Sequence, residues 1–304
     1  MVDKQLQVVS GLQLWGWRKQ AIASAMASDI SSAEVDWLLL EVAGLDRLAL
    51  RLESFKDWPE IKMVLPLEDL ERLWQRRLNE RLPVQYITGV TPWRNFKITV
   101  SKAVLIPRPE TEYLIDLAVA AATHTSAAPF LTSGHWADLG TGSGAIALGL
   151  ADALPQATIH AIDYSPEALK IARDNARNLG FENRIRFDQG SWWQPLTAWK
   201  GEFSGMVSNP PYIPTSTVAT LQPEVVNHEP NLALDGGFDG LDCIRQLIEI
   251  SPNYLVSGGV WLIEMMAGQA DIVRKLLEQQ GSYCNIQIHA DLAGIERFAL
   301  AYIK

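Results

Sequence analysis

Between residues 136 and 303 short apolar runs alternate with stretches of helical period, and this alternation narrows the fold more than any other feature of the chain. The runs fall at 136–139, 158–162, 184–187, 203–207, 259–264 and 297–303, with helical stretches at 145–154, 166–179, 241–250 and 269–280. Apolar strands separated by helices predict an α/β architecture with a doubly wound, mainly parallel sheet, because parallel strands need a crossover connection that also covers a sheet face. Such sheets bind ligands at the carboxyl ends of their strands.

Two turns at those ends carry chemistry. Gly140-Thr141-Gly142-Ser143-Gly144 follows the first run, and its glycines let the backbone bend sharply and come close to a ligand. Asp163 ends the second run, 19 residues beyond Gly144, placed to accept hydrogen bonds from a ribose diol. Both features suit NAD as well as S-adenosylmethionine, since Gly140-x-Gly142-x-x-Ala145 also satisfies a dinucleotide fingerprint. Asp138, just ahead of the loop, is placed for the amino-acid end of S-adenosylmethionine, and Trp192 or Trp193 for its adenine.

The second turn is Asn209-Pro210-Pro211-Tyr212, whose prolines forbid both a helix and a continued ladder. A carboxamide or exocyclic amine nitrogen has two N–H groups and a delocalised lone pair. The Asn209 side-chain oxygen and the Pro210 carbonyl can accept both hydrogens and orient that nitrogen as a nucleophile, with Tyr212 offering an aromatic face. Taken alone, Asn-Pro-Pro also reads as a plain tight loop. Beside the glycine loop it favours S-adenosylmethionine, because a dehydrogenase has no use for it.

Residues 10–82 read as helices without strands. Ser31-Ser32-Ala33-Glu34 has capping-box spacing before an apolar stripe that stops at Gly44. A helix over 67–82 puts Glu68, Glu71, Arg72, Arg76, Arg77 and Arg81 on its solvated side. A small helical bundle over 1–82 follows, either a structural cap or a platform for a macromolecular partner. Residues 83–89 and 95–100 alternate as strands about Thr91-Pro92, which predicts a linking β-hairpin over 83–104 ahead of the α/β domain over 105–304. Arg108, held between Pro107 and Pro109, is a surface charge or a positioned substrate contact. Residues 123–134 read as a surface loop.

With 48% hydrophobic and 20% charged residues, the 304-residue chain builds a sizeable core. Its net charge of −9 argues against stable DNA binding, because non-specific affinity comes from basic residues on phosphates. Cys243 and Cys284 lack metal-ligand spacing and read as buried thiols. No long apolar block follows Asp3 and Lys4, and no apolar run reaches membrane-spanning length, so a cytoplasmic protein without membrane association is expected.

These motifs resemble a class I methyltransferase, and in particular the HemK/PrmC family of glutamine N5-methyltransferases of peptide chain release factors. The resemblance covers nearly the whole chain: Pro83-x-Gln85-Tyr86-Ile87-x-Gly89, Leu105-Ile106-Pro107-Arg108-Pro109-Glu110-Thr111-Glu112, the glycine loop, Val207 through Ile213, Glu229-Pro230 with Ala233-Leu234, and Gly237-x-Asp239-Gly240-Leu241. Asn-Pro-Pro-Tyr alone is shared with adenine-N6 methyltransferases. The resemblance implies S-adenosylmethionine as methyl donor, S-adenosylhomocysteine as product, no metal, and class 1 release factors as protein substrate, docked through the helical domain. Cofactor contacts are expected from Asp138, Gly140, Thr141, Gly142, Ser143, Gly144, Asp163, Trp192 and Asn209. Substrate contacts are expected from Asn209, Pro210, Pro211, Tyr212 and Arg108, with Asn209, Pro210 and Tyr212 catalytic. One departure stands out: where the family often reads Glu-x-Gly-x-x-Gln, this chain has Met266 between Glu264 and Gln269, in a loop expected to lie away from the chemistry. No general base is evident; His228, the nearest histidine in sequence, reads as structural.

Overall fold

The computed structural model describes residues 7–123 and 128–304, so Asp3, Lys4 and residues 124–127 of the expected surface loop lie outside the described residues. Two compact units emerge, Met1–Gly89 with Pro223–His228, and Val90–Gln222 with Glu229–Lys304. No described helix is long and apolar enough to cross a membrane.

Helices Gly11–Ala27, Ala33–Ala43, Arg47–Leu52 and Leu67–Glu80 form the first unit around Leu14, Leu38, Leu39, Phe55 and Trp74, all buried. Its local details differ from the sequence reading in four ways. The capping box sits at Ser10 and Gln13, whereas Glu34 is drawn away from the expected box at Ser31 by Arg77, whose Nε and Nη2 donate to it at 2.6 and 2.9 Å. Arg77, expected in solvent, is buried and also donates to Glu224 at 2.9 Å. A buried guanidinium is tolerable only with such partners, and two carboxylates supply them. Gln7–Val9 and Ile61–Met63 pair as short antiparallel strands. Finally, the expected strand at 83–89 is a helical turn, Val84–Thr88, entered from Pro83 and stopped by left-handed Gly89. Val84 and Ile87 pack against the helical core from one face of that turn, a spacing of three that fits a helix and not a strand's alternation.

In the second unit seven strands form one sheet: β1 (His135–Leu139), β2 (Thr158–Asp163), β3 (Ile185–Gln189), β4 (Phe203–Ser208), β5 (Leu255–Glu264), β6 (Tyr283–Ala290) and β7 (Glu296–Ile303). Their order is β6-β7-β5-β4-β1-β2-β3, and only β7 runs opposite in direction to the other six. The edge strand β6 escaped the sequence reading because, of its eight residues, only Tyr283 is buried, which leaves little apolar signal. β1 and β4 carry the fully buried Trp136, Ala137, Leu139, Met206 and Val207, so the centre of the sheet is set by side chains packed on both faces. Strand order reverses at β1, between β2 and β4, which opens a crevice at their carboxyl ends. A separate hairpin pairs Val90–Trp93 with Phe96–Thr99. Thr91-Pro92 lies in its first strand, and the turn falls instead at Arg94-Asn95, with Arg94 at φ +50°.

Candidate active site

The glycine loop begins where Gly140 N and Thr141 N both donate to the Ile162 carbonyl at 2.9 Å, folding the end of β1 over the end of β2. Asp163 ties the same two elements, Oδ2 accepting from Gly142 N at 2.8 Å and Oδ1 from Ser165 N at 2.9 Å. Gly142 has φ +55° with open space where a Cβ would stand, so glycine both permits the turn and leaves room beside it. Burial raises the Asp163 carboxyl above its ordinary range, opposed by the N–H groups of Ser165 and Gly142. Asn175 Nδ2 holds the Ser143 carbonyl at 2.9 Å.

Asp138, expected at the amino-acid end of a cofactor, is instead wholly enclosed beneath the loop. Its Oδ2 accepts from Thr141 Oγ1 at 2.5 Å and Ala147 N at 2.9 Å, and its Oδ1 is buried without a partner. Burial pushes this carboxyl up to about 7, against the pull of both bonds. Its visible work is to brace the loop.

A cavity of about 360 Å³ opens at the carboxyl edge of the sheet, and Gly140, Gly142, Asp163, Trp192, Asn209 and Pro211 all line it. Thr141, Ser143 and Gly144 shape the loop but do not line the cavity. Of the two tryptophans, Trp192 stands at the cavity, its ring so near Gly140 that a Cβ there would meet it at 3.4 Å. Trp193 belongs to the core, stacked on Tyr254 at 4.6 Å between centroids. The cysteines are not the buried pair expected: Cys284 is exposed and half-buried Cys243 lines the cavity, where burial pushes its thiol up to about 11. Among the described residues no cluster of three or more His, Cys, Asp or Glu side chains is placed to hold a metal ion.

The Asn-Pro-Pro-Tyr turn leaves β4, whose last residue donates from Ser208 Oγ to the Leu139 carbonyl at 2.6 Å and so aligns the ends of β4 and β1. Asn209 faces the cavity, and its Nδ2 donates to Thr111 Oγ1 at 3.2 Å. Thr111 Oγ1 donates in turn to Glu264 Oε2 at 2.7 Å, and the Tyr212 hydroxyl donates to Glu264 Oε1 at 3.0 Å. Glu264 is buried, which raises its carboxyl above the ordinary range while both hydroxyl bonds oppose the rise. Burial, and after it the Glu264 charge, raise the Tyr212 hydroxyl. Pro210 is buried, and neither it nor Tyr212 lines the cavity.

Gln269 closes the arrangement. Its Nε2 donates to the carbonyls of Tyr212 at 3.1 Å and Gly240 at 3.3 Å, and its Oε1 accepts from Met266 N at 2.9 Å. Gly240, at φ +76°, sits so close behind the turn that a Cβ would lie 2.3 Å from the Tyr212 carbonyl oxygen. Arg108, expected at the substrate, is committed to Glu229 through Nη2 at 2.7 and 2.9 Å and does not line the cavity. Burial raises the Glu229 carboxyl and the Arg108 charge opposes it, so the buried acid has its counter-charge in this arginine.

Residues 133–291 match a family model described as a methyltransferase domain. A release factor glutamine methyltransferase from Synechocystis sp. is 53% identical over 96% of this chain and 97% of its own length. Proteins of the same name from Thermosynechococcus vestitus and Neisseria gonorrhoeae are 48% and 37% identical, covering 95% and 91% of this chain and 97% and 96% of their own lengths. The chain belongs to the release factor glutamine methyltransferase family. Among solved structures, the hMettl16 catalytic domain in complex with the MAT2A 3'UTR hairpin 6 aligns with a TM-score of 0.55 at 16% identity over 76% of this chain and 78% of that one, which speaks for the fold alone.

For a release factor glutamine methyltransferase, the departure at Met266 falls in an unexpected place. The loop from Glu264 to Gln269 is not remote: both of its ends hold the Asn-Pro-Pro-Tyr turn. Met266 itself is absent from the left-handed region, so methionine replaces the family's frequent glycine without backbone strain. Thr111, Glu264 and Gln269, which bond to the Asn-Pro-Pro-Tyr turn, are the residues of the candidate site that reasoning from sequence missed, although each stands inside a family motif. His228 Nε2 lies 2.6 Å from the Glu80 carbonyl oxygen, a contact within the first unit.

Proposed function

We propose that this chain is an S-adenosylmethionine-dependent methyltransferase acting on the side-chain amide nitrogen, N5, of the glutamine in the Gly-Gly-Gln loop of class 1 peptide chain release factors, and thereby tunes translation termination in the cytoplasm. The observation that carries the reading is that Asp163, from β2, and Asn209, from β4, face one cavity from either side of β1. A nucleoside-binding acid and a carboxamide-orienting turn thus converge, as methyl transfer to an amide requires. The names and full-length coverage of the relatives support the substrate.

The cavity suits the cofactor: its volume, the open space beside Gly142 and the Trp192 ring match a nucleoside joined to an amino acid. Asp163 would hold the ribose hydroxyls, Trp192 would lie against the adenine, and Gly140 and Gly142 would admit the remainder to the loop. S-adenosylmethionine supplies a methyl group on a sulfonium, already activated, so the protein's work is alignment. Asn209 Oδ1 and the Pro210 carbonyl would accept the two amide hydrogens of the glutamine, with Tyr212 beside its plane. Fixing the nitrogen in this way can remove several kcal/mol of barrier, on the order of the gains known for well-oriented intramolecular reactions. The bundle over residues 1–82 would engage the body of the release factor.

The test is mass spectrometry of a recombinant class 1 release factor after incubation with the enzyme and S-adenosylmethionine. One methyl group on the glutamine of the Gly-Gly-Gln loop is expected; an unmodified glutamine with methyl incorporated elsewhere, or nowhere, overturns the assignment.

A further inference from the structure

We infer that Thr111 and Glu264 are positioning residues that set which end of the Asn209 amide meets the substrate. The inference rests on Asn209 being the acceptor that orients the glutamine nitrogen. An asparagine amide has two nearly isosteric ends, one a donor and one an acceptor, and rotation by half a turn exchanges them. Only the orientation with Oδ1 toward the substrate can accept an N–H; the reverse presents a second donor to a donor. Something must choose between them, and the bonding of Thr111 makes the choice.

The hydroxyl of Thr111 has one hydrogen, and that hydrogen is given to Glu264 Oε2 at 2.7 Å. Toward Asn209 the hydroxyl can therefore only accept, and it meets Nδ2 at 3.2 Å. With the amide reversed, Asn209 Oδ1 would face the lone pairs of a hydroxyl that has no second hydrogen to offer. Asn209 thus keeps Nδ2 on Thr111 and leaves its oxygen for the cavity that it lines. Glu264 fixes the direction of the chain because a carboxylate accepts and does not donate. Its other oxygen accepts from the Tyr212 hydroxyl at 3.0 Å, so one buried carboxylate sets the polarity of two side chains of the turn.

The decisive experiment is a double-mutant cycle on the full-length enzyme, reading single-turnover methylation of release factor at saturating substrate and cofactor. Thr111→Val keeps the shape and removes the hydroxyl. It should lower the rate by roughly tenfold or more, as expected when one buried polar group loses its partner and orientation, while affinity for S-adenosylhomocysteine changes by less than about twofold, since Thr111 is absent from the cavity wall. Thr111→Ser, which keeps the hydroxyl, should retain the rate within about threefold, under 1 kcal/mol on the barrier. Because Thr111 acts through Asn209, Thr111→Val should cause little further loss, below about twofold, in an Asn209→Ala background. The inference is overturned if Thr111→Val retains the wild-type rate, if the serine falls as far as the valine, or if the valine costs the same factor in both backgrounds. Should the valine fail to fold, Thr111→Ala against Thr111→Ser carries the same contrast. An Asn209→Ala enzyme at the wild-type rate would sink the underlying reading instead, so the two failures are distinguishable.

Discussion

The two turns that meet at the cavity are held in opposite ways. The glycine loop is braced from nearby: Asp138 holds Thr141 and Ala147, Asp163 holds Gly142, and Asn175 holds Ser143. The Asn-Pro-Pro-Tyr turn is braced from afar, by Thr111 across 98 residues, Glu264 across 52 and Gln269 across 57. A locally braced loop can form its bonds as soon as its own strands and helix are in place. The distantly braced turn becomes rigid only when two separate parts of the chain, the segment at Thr111 and the loop from Glu264 to Gln269, have docked on it, so its geometry reports on the whole unit.

The contrast predicts that damage to one turn spares the function of the other. The largest effect is expected from Asn209→Ala, which should slow methyl transfer by at least roughly 10²-fold through lost hydrogen bonding and misalignment. Calorimetry with S-adenosylhomocysteine should find its affinity nearly unchanged. Parallel losses of rate and affinity would merge the two turns into one functional element. Next comes Asp163→Ala, which removes a charge-assisted contact worth roughly 1.5–3 kcal/mol and should weaken S-adenosylhomocysteine by about tenfold to a hundredfold. Unchanged affinity would take Asp163 out of the cofactor site.

Gln269→Ala sharpens the comparison from the distant side. It leaves the Tyr212 and Gly240 carbonyls without their donor, which should reduce stability by about 1–3 kcal/mol and lower the rate more than cofactor affinity. Urea unfolding beside turnover measurements is the check, and an effect on affinity alone would contradict it.

On the local side, Asp138 provides a pH signature. Its folded value of about 7 stands above the ordinary 3.8, so between those limits the unfolded chain releases a proton that the folded chain retains. Its contribution is fully present below the lower value and is lost as pH rises through the upper one. Asp138→Asn removes the titration, and the stability of the cofactor-free variant relative to wild type should rise as pH climbs across this window. Parallel urea-denaturation profiles for the two proteins would rule out a shifted Asp138. The smallest change is expected from Met266→Gly. Because Met266 is unstrained, restoring the family glycine should cost under about 1 kcal/mol, chiefly through the entropy of the unfolded chain; a gain in stability would reveal hidden strain there.

The same contrast explains what could be read from the sequence. Strand, glycine loop, helix and acid follow one another within a few dozen residues, and periodicity with turn chemistry suffices to assemble them. The parallel strands and the convergence of Asp163, Trp192 and Asn209 on one crevice follow from that grammar. Thr111 and Glu264 were visible only as letters in motifs, because nothing local says that a threonine before one helix will meet a carboxylate at the end of β5. The pairing of Arg108 with Glu229 was hidden for the same reason, the two lying 121 residues apart. In the first unit Arg77 fooled the helical pattern because a long side chain on a polar face can be buried once two acids await it.

The segment Pro223–His228 gives the molecule a property that neither unit has by itself. The backbone runs from the helical unit to the catalytic one after Gly89, returns at Pro223, and departs again after His228. During the return visit Glu224 is gripped by Arg77 and Arg81 at 2.9 and 3.0 Å, and two residues past its end the chain reaches Pro230 on the cavity wall. A unit joined by one crossing can be shuffled between genes like a bead on a string. One that claims six residues from the middle of its neighbour is tied to it at a second place, and a truncation that removes the helices leaves Glu224 without the two guanidiniums that grip it.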